Sequence, residues 1–109
     1  MKDGNRIETI YWLNGNKSCE TPYINDKMHG LQIGWHDNGS RWYEITYVNG
    51  KSQGLQIGWY ENGNRWYEIQ YVNGNIHGLY KWWHENGNGW DKTTYKNNIE
   101  HGSKIKFNY

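Results

Sequence analysis

Short runs of alternating apolar and polar residues fill this chain from Ile7 to Phe107, among them Leu31-Gln32-Ile33-Gly34-Trp35 and Trp42-Tyr43-Glu44-Ile45-Thr46-Tyr47-Val48. A period of two, carried by β-branched and aromatic residues, is the pattern of strands, and no stretch shows the 3.6-residue period of a helix. The runs are punctuated by Asn14-Gly15, Asn38-Gly39, Asn62-Gly63 and Asn86-Gly87, spaced by 24. A second set runs in phase: Tyr23, Tyr47, Tyr71 and Tyr95 lead into Asn25-Asp26, Asn49-Gly50, Asn73-Gly74 and Asn97-Asn98. Gly30, Gly54, Gly78 and Gly102 make a third column. Asn-Gly between such runs suits a type I′ hairpin turn, so two turns per repeat predict an antiparallel meander of about nine strands. Units of this length bury their apolar surface by stacking on neighbours. The expected fold is all-β, an elongated single-layer meander of repeated hairpins. One domain covers residues 1–109, with repeats at about 11–34, 35–58, 59–82 and 83–106.

With Asn38-Gly39 at the two central positions of a turn, Trp35 pairs with Trp42, Gly34 with Tyr43 and Ile33 with Glu44. Carrying the alternation through both turns sorts the side chains onto two faces. The first is expected to carry Leu31, Ile33, Trp35, Trp42, Glu44 and their counterparts, so that Trp35, Trp42, Trp59, Trp66, Trp83 and Trp90 form one ladder. The second carries Gly34, Tyr43, Ile45, Tyr47, Gly58, Tyr67 and Tyr71, where tyrosine rings can lie over glycine backbone. The first face, lacking such glycines, is expected to be the more exposed.

Composition changes the picture of the core. Hydrophobic residues are 35% of the 109, and eight Trp with ten Tyr replace the usual aliphatic core. Net charge is +1 with both signs interspersed, which gives no basic field for a phosphate backbone, so nucleic acid is not an expected partner. No apolar run reaches the length of a membrane span, and Met1 to Arg6 are polar with no h-region behind them. Cys19 is the single cysteine and reads as a reduced thiol, so the expected location is cytoplasmic, or the host cytoplasm for a viral protein.

Trp59-Tyr60-Glu61-Asn62-Gly63, continuing through Tyr71-Val72-Asn73-Gly74 to His77-Gly78, resembles the MORN-repeat family in its bacterial and viral variant form. The resemblance covers nearly the whole chain, with the first copy, Tyr11 to Gly30, and the last, Trp83 to Gly102, degenerate as capping units are. It implies a twisted single sheet serving as a scaffold or binding module, associated in several bacterial members with toxin neutralisation, and it implies no catalysis. Lipid-headgroup binding attributed to the family uses basic positions, and this chain has no consistent basic column. The Gly58-Trp59 to Trp66-Tyr67 segment is also similar to choline-binding and glucan-binding cell-wall repeats, against which the 24-residue period and the His-Gly step argue.

Trp35, Trp42, Trp59, Trp66, Trp83, Trp90, Glu44 and Glu68 are therefore the candidate partner-binding residues, since exposed aromatic patches mark partner surfaces. Lys81 and Lys92 replace the acidic pattern in the last copies and are expected to oppose each other, with Lys81 stacked on Trp66. His29, His77 and His101 recur with Gln53 in the second copy, but at roughly 9.6 Å per repeat they do not converge as zinc ligands do, so no metal or other cofactor is expected. No nucleophile and base share a site, and no catalytic residue is assigned. The partner classes are a protein (a toxin, a host factor or a second copy joined through edge strands at Ile7–Trp12 and Lys104–Phe107) or, alternatively, a glycan, choline or lipid headgroup on the aromatic strip.

Overall fold

The computed structural model describes residues 4–96, 99–100 and 105–106, and among these every regular element is a strand. The strands are β1 (Arg6–Tyr11), β2 (Lys17–Ile24), β3 (Lys27–Met28), β4 (Gly30–Trp35), β5 (Arg41–Val48), β6 (Lys51–Ser52), β7 (Gly54–Trp59), β8 (Arg65–Val72), β9 (Asn75–Trp83), β10 (Trp90–Lys96), β11 (Ile99–Glu100) and β12 (Ile105–Lys106). They form one open antiparallel sheet in the order β1-β2-β4-β5-β7-β8-β9-β10-β11, with β3, β6 and β12 pairing beside β2, β5 and β10. The extents are 54 × 34 × 13 Å, and 13 Å is the thickness of one layer with its side chains. The radius of gyration, 16.0 Å, exceeds the roughly 13 Å of a compact chain this long. Asn97-Asn98, His101, Gly102, Lys104 and Phe107 lie outside the described residues.

The two turns of each repeat are of different kinds. Asn49 (φ 50°) with Gly50 (φ 85°) and Asn73 (φ 51°) with Gly74 (φ 86°) are type I′ turns, as the sequence predicts, and Asn25-Asp26 holds the same conformation. Asn38-Gly39 does not. There the Gly39 N–H donates to the His36 carbonyl and the His36 N–H to the Ser40 carbonyl, both at 2.9 Å, and within Asn38-Gly39 only Gly39 has positive φ, 93°. This is a type I turn over Asp37 and Asn38 closed by a left-handed glycine, a three-residue loop. The physical reason is the Asn38 side chain, whose Oδ1 accepts from the Ser40 N–H at 2.9 Å while Nδ2 donates to the Glu61 carbonyl at 3.2 Å. Asn14 and Asn62 do the same, reaching the carbonyls of Asp37 and Glu85.

The longer loop is absorbed by a bulge, which corrects the expected facing. Trp35 stands opposite Arg41, Gly34 opposite Tyr43, and Trp42 is the extra residue; Trp59, Arg65 and Trp66 repeat this. Past the bulge the expected pairs hold, with Ile33 opposite Glu44 and Ile57 opposite Glu68. Residues three apart on a regular strand point to opposite faces, yet Arg41 pairs with Glu44 and Arg65 with Glu68, which is possible only across a bulge. Trp42 turns to the tyrosine face, stacking on His36 at 5.1 Å and Trp12 at 6.4 Å, and Trp66 stacks on Tyr60 at 5.3 Å. The single ladder of tryptophans is thus divided. In the last hairpin no bulge intervenes, and Trp83 stands opposite Trp90 as expected.

The tyrosine face supplies most of the burial. Tyr43 lies across Gly34 and Tyr67 across Gly58, and both glycines are buried. Ile69, 8% exposed, is the buried apolar side chain among the described residues, so rings over backbone take the place of an aliphatic core. Both rows of turns are tied from repeat to repeat. On the I′ side the turn N–H groups are capped by the preceding copy: Asn49 N–H by His29 Nδ1 at 3.2 Å, Asn73 N–H by Gln53 Oε1 at 2.8 Å, and Gly50 and Gly74 N–H by the Met28 and Ser52 carbonyls at 2.8 Å. On the other side Trp12 Nε1 and Tyr60 Oη donate to the carbonyls of Trp35 and Trp83 at 2.9 and 2.6 Å. His36 Nε2 fills the same slot toward the Trp59 carbonyl at 2.9 Å, which requires its proton there.

Candidate functional site

The face opposite the tyrosines carries two parallel rows. The first is a ladder of indoles and cations beside the three-residue loops. Lys17 Nζ and Arg41 Cζ lie 5.6 and 5.7 Å from the centre of the Trp35 ring, and Arg65 Cζ lies 5.3 Å from Trp59 and 6.0 Å from Trp83. Each cation also meets a carboxylate, in the pairs Lys17–Glu20, Arg41–Glu44 and Arg65–Glu68. Lys81 Nζ closes the row, 3.4 Å from Glu68 and 5.7 Å from the Trp83 ring, not on Trp66 as the sequence suggests. Lys81 does stand opposite Lys92 in the register. Charges of both signs therefore alternate with rings, each of which has at least one of the chain's own cations within 6.0 Å of its centre.

The second row is aliphatic. Leu31, Leu55 and Leu79 are 44%, 43% and 38% exposed, and Ile24, Val48 and Val72 are exposed beside them. These six come from β2, β4, β5, β7, β8 and β9, which are consecutive in the sheet. Leu31 stands opposite Thr46 and Leu55 opposite Gln70, which makes Val48 and Val72 their diagonal neighbours, about 7–8 Å away. The row zigzags across six strands, roughly 24 Å at 4.8 Å per strand. Sequence reasoning placed the leucines on this face but assigned no role to them, and it passed over Ile24, Val48 and Val72. The signal was present: each precedes the turn asparagine of its repeat.

Of the sequence-predicted site residues, Trp35, Trp59, Trp83, Glu44 and Glu68 share this face, while Trp42 and Trp66 sit on the other. Trp90 holds its backbone register, but its side chain lies outside the described residues. His29 and Gln53 occupy one repeat position because either supplies an acceptor to the turn above it. Among the described residues no group of His, Cys, Asp and Glu could hold a metal ion. Cys19 faces the tyrosine layer, its Sγ accepting from Tyr43 Oη at 3.5 Å. Burial raises the phenol pKa values of Tyr43, Tyr47, Tyr67 and Tyr71 above the ordinary tyrosine range. No helix among the described residues is long and apolar enough to cross a membrane.

A family model described as MORN repeat variant matches residues 28–49, 52–73 and 76–97. The three matches are consecutive, each enclosing one Asn-Gly loop, at Asn38-Gly39, Asn62-Gly63 and Asn86-Gly87, and the type I′ turns at Asn49-Gly50 and Asn73-Gly74 fall at their boundaries. No curated protein and no solved structure matches the chain.

Proposed function

The chain belongs to the MORN repeat variant family, and from that premise we propose that it is a non-catalytic interaction module whose Trp35 face docks a protein partner. MORN repeats are generally binding or scaffold modules. The observation that carries the reading is the exposed aliphatic row, Ile24, Leu31, Val48, Leu55, Val72 and Leu79, flanked by the charged ladder. An apolar centre beside paired charges is the anatomy of a protein interface. One repeat advances the row by roughly 9.6 Å, close to the 10.5 Å of seven residues of α-helix, so an amphipathic helix lying across the strands offers one apolar contact per repeat. Neutralising a toxin and engaging a host factor are two forms of this reading, since both need only a face that covers part of another protein.

The ladder bears on the choline, glycan and lipid-headgroup reading. A cationic headgroup gains from an indole face that is open to it. Here the faces of Trp35, Trp59 and Trp83 are approached by the chain's own Lys17, Arg41, Arg65 and Lys81, and Glu44 and Glu68 are paired. The protein reading is the better supported.

The test compares the parent with a Leu31→Glu, Leu55→Glu double variant in quantitative capture of a protein from the source organism, beside Trp fluorescence titrations with phosphocholine and with glycans. The expected result is at least tenfold less capture by the variant at an unchanged fold, and no saturable fluorescence response. A saturable response to either small ligand, with capture unaffected by the variant, would overturn the proposal.

A further inference from the structure

We infer that the outer edge of β1 is a self-association site, where a second copy of this chain pairs its own β1 antiparallel about a two-fold axis, Thr9 opposite Thr9. Among the described residues β1 pairs with β2 alone and ends the strand order. The backbone direction along that edge follows from Pro22. Its carbonyl accepts from the His29 N–H at 3.0 Å and it has no N–H of its own, so its polar group turns away from β1. The pair Ile7–Pro22 is therefore a non-hydrogen-bonded one, and alternation directs Arg6, Glu8 and Ile10 toward β2 while Ile7 and Thr9 present N–H and C=O outward.

The side chains leave this edge open to pairing. Ile7 and Tyr11 on the Trp35 face are 66% and 59% exposed, and Ile10 on the tyrosine face is exposed as well. Edges are ordinarily blunted by proline, bulges or charges aimed outward. The two charged residues of β1 are instead turned to neighbours within the chain. Arg6 pairs with Asp26 at 2.7 Å and lies over the Tyr23 ring at 4.3 Å, and Glu8 accepts from Tyr23 Oη at 3.4 Å.

The occupant is a second copy because the strand is complementary to itself in one register. With Thr9 at the centre, Ile7 faces Tyr11 of the second copy, Tyr11 faces its Ile7 and Thr9 faces Thr9, giving two aromatic–aliphatic pairs and a hydroxyl pair of the kinds that stabilise adjacent strands. The outward N–H and C=O groups of Ile7 and Thr9 then fall on hydrogen-bonded pairs. Centring on Glu8 would set Glu8 against Glu8, and centring on Ile10 would run the pairing into the loop that begins at Trp12. An isologous contact of this kind closes as a dimer. It lies apart from the aliphatic row on the Trp35 face and stands or falls independently of it.

The test uses the full chain. Sedimentation across concentration is expected to show a monomer–dimer equilibrium, weakened at least tenfold by Thr9→Pro. That substitution removes an outward N–H, which an edge strand tolerates, so the melting temperature is expected to stay within a few degrees. In a Cys19→Ser background, Thr9→Cys is expected to cross-link two copies on mild oxidation, since a directly opposed pair stands about 5.5 Å apart, within disulfide range. Ile7→Cys in the same background is expected to cross-link far more slowly. A chain that stays monomeric at all concentrations, a dimer indifferent to Thr9→Pro, or Ile7→Cys linking as fast as Thr9→Cys would overturn the proposal.

Discussion

Tyr67 lies across Gly58 so closely that a Cβ added there would stand 2.7 Å from Tyr67 Cδ2 and nearer still to Cε2 and Cζ. Tyr43 covers Gly34 in the same way one repeat earlier. The ring buries backbone that a side chain would hold away from it, and Tyr67 Oη accepts a hydrogen bond from Gln56 Nε2 at 3.0 Å. Gly58→Ala must push a ring off its seat, and overpacking of this kind costs about 1–3 kcal/mol. Chemical denaturation is expected to show that loss. Combining Gly58→Ala with Tyr67→Leu should cost less than the two single changes added together, because both act on one contact.

Gln53 caps the Asn73 N–H through Oε1, as His29 caps that of Asn49 through Nδ1. Gln53→Leu removes the acceptor from a turn N–H and should lower stability by about 1 kcal/mol. Gln53→His restores the residue type of the neighbouring copies and should stay within about 0.5 kcal/mol of the parent, a typical limit for well-accommodated surface changes. Equal losses in thermal melts of the two variants would contradict the capping role.

Desolvation in the tyrosine layer raises the pKa values of Tyr43, Tyr47, Tyr67 and Tyr71, so the folded state holds their protons at a pH where the unfolded chain releases them. Their contribution to stability is complete below about pH 10, the unfolded value, and is lost as pH rises through the higher folded values. Stability measured in urea should therefore fall steadily above pH 10. Tyr67→Phe should make that fall shallower, by up to one proton. Ultraviolet titration should show these phenols ionising above the range of free tyrosine.

Arg65 sits between Trp59 and Trp83 and pairs with Glu68, so its removal takes away ring contacts as well as a charge. A partly exposed ion pair contributes about 0.2–1 kcal/mol and a cation–ring contact about 0.5–1. Arg65→Ala should cost about 1–2 kcal/mol in denaturant titrations, of which added salt recovers only the part due to the ion pair. A cost that vanishes entirely at 1 M salt would show that the rings contribute nothing.

Much of the fold was legible because the signals that set it are local. Asn49-Gly50 and Asn73-Gly74 hold the conformation their residues favour, and Gly34 beneath Tyr43 follows from alternation along two strands. The turn at Asn38-Gly39 was misread because the same dipeptide fits two loops, and the choice between them lies in bonds to a neighbouring repeat, Asn38 Nδ2 to the Glu61 carbonyl. That one residue of loop length moved Trp42 and Trp66 to the other face and brought Arg41 and Arg65 into the site. The pattern Arg41-x-x-Glu44, recurring as Arg65-x-x-Glu68, was the available hint, since an ion pair at that spacing on a strand needs a bulge. The role of Val48 and Val72 went unseen because a lone valine before a turn carries no chemistry until its neighbours line up.

The division of labour between the two faces is tested most directly by site-specific photo-crosslinking in cells of the source organism. A benzophenone side chain is placed at Leu55 on the Trp35 face or at Trp66 on the tyrosine face, positions 43% and 38% exposed. The expected result is one discrete adduct with another protein from position 55 and none from position 66. The same adduct from position 66, with none from position 55, would contradict it.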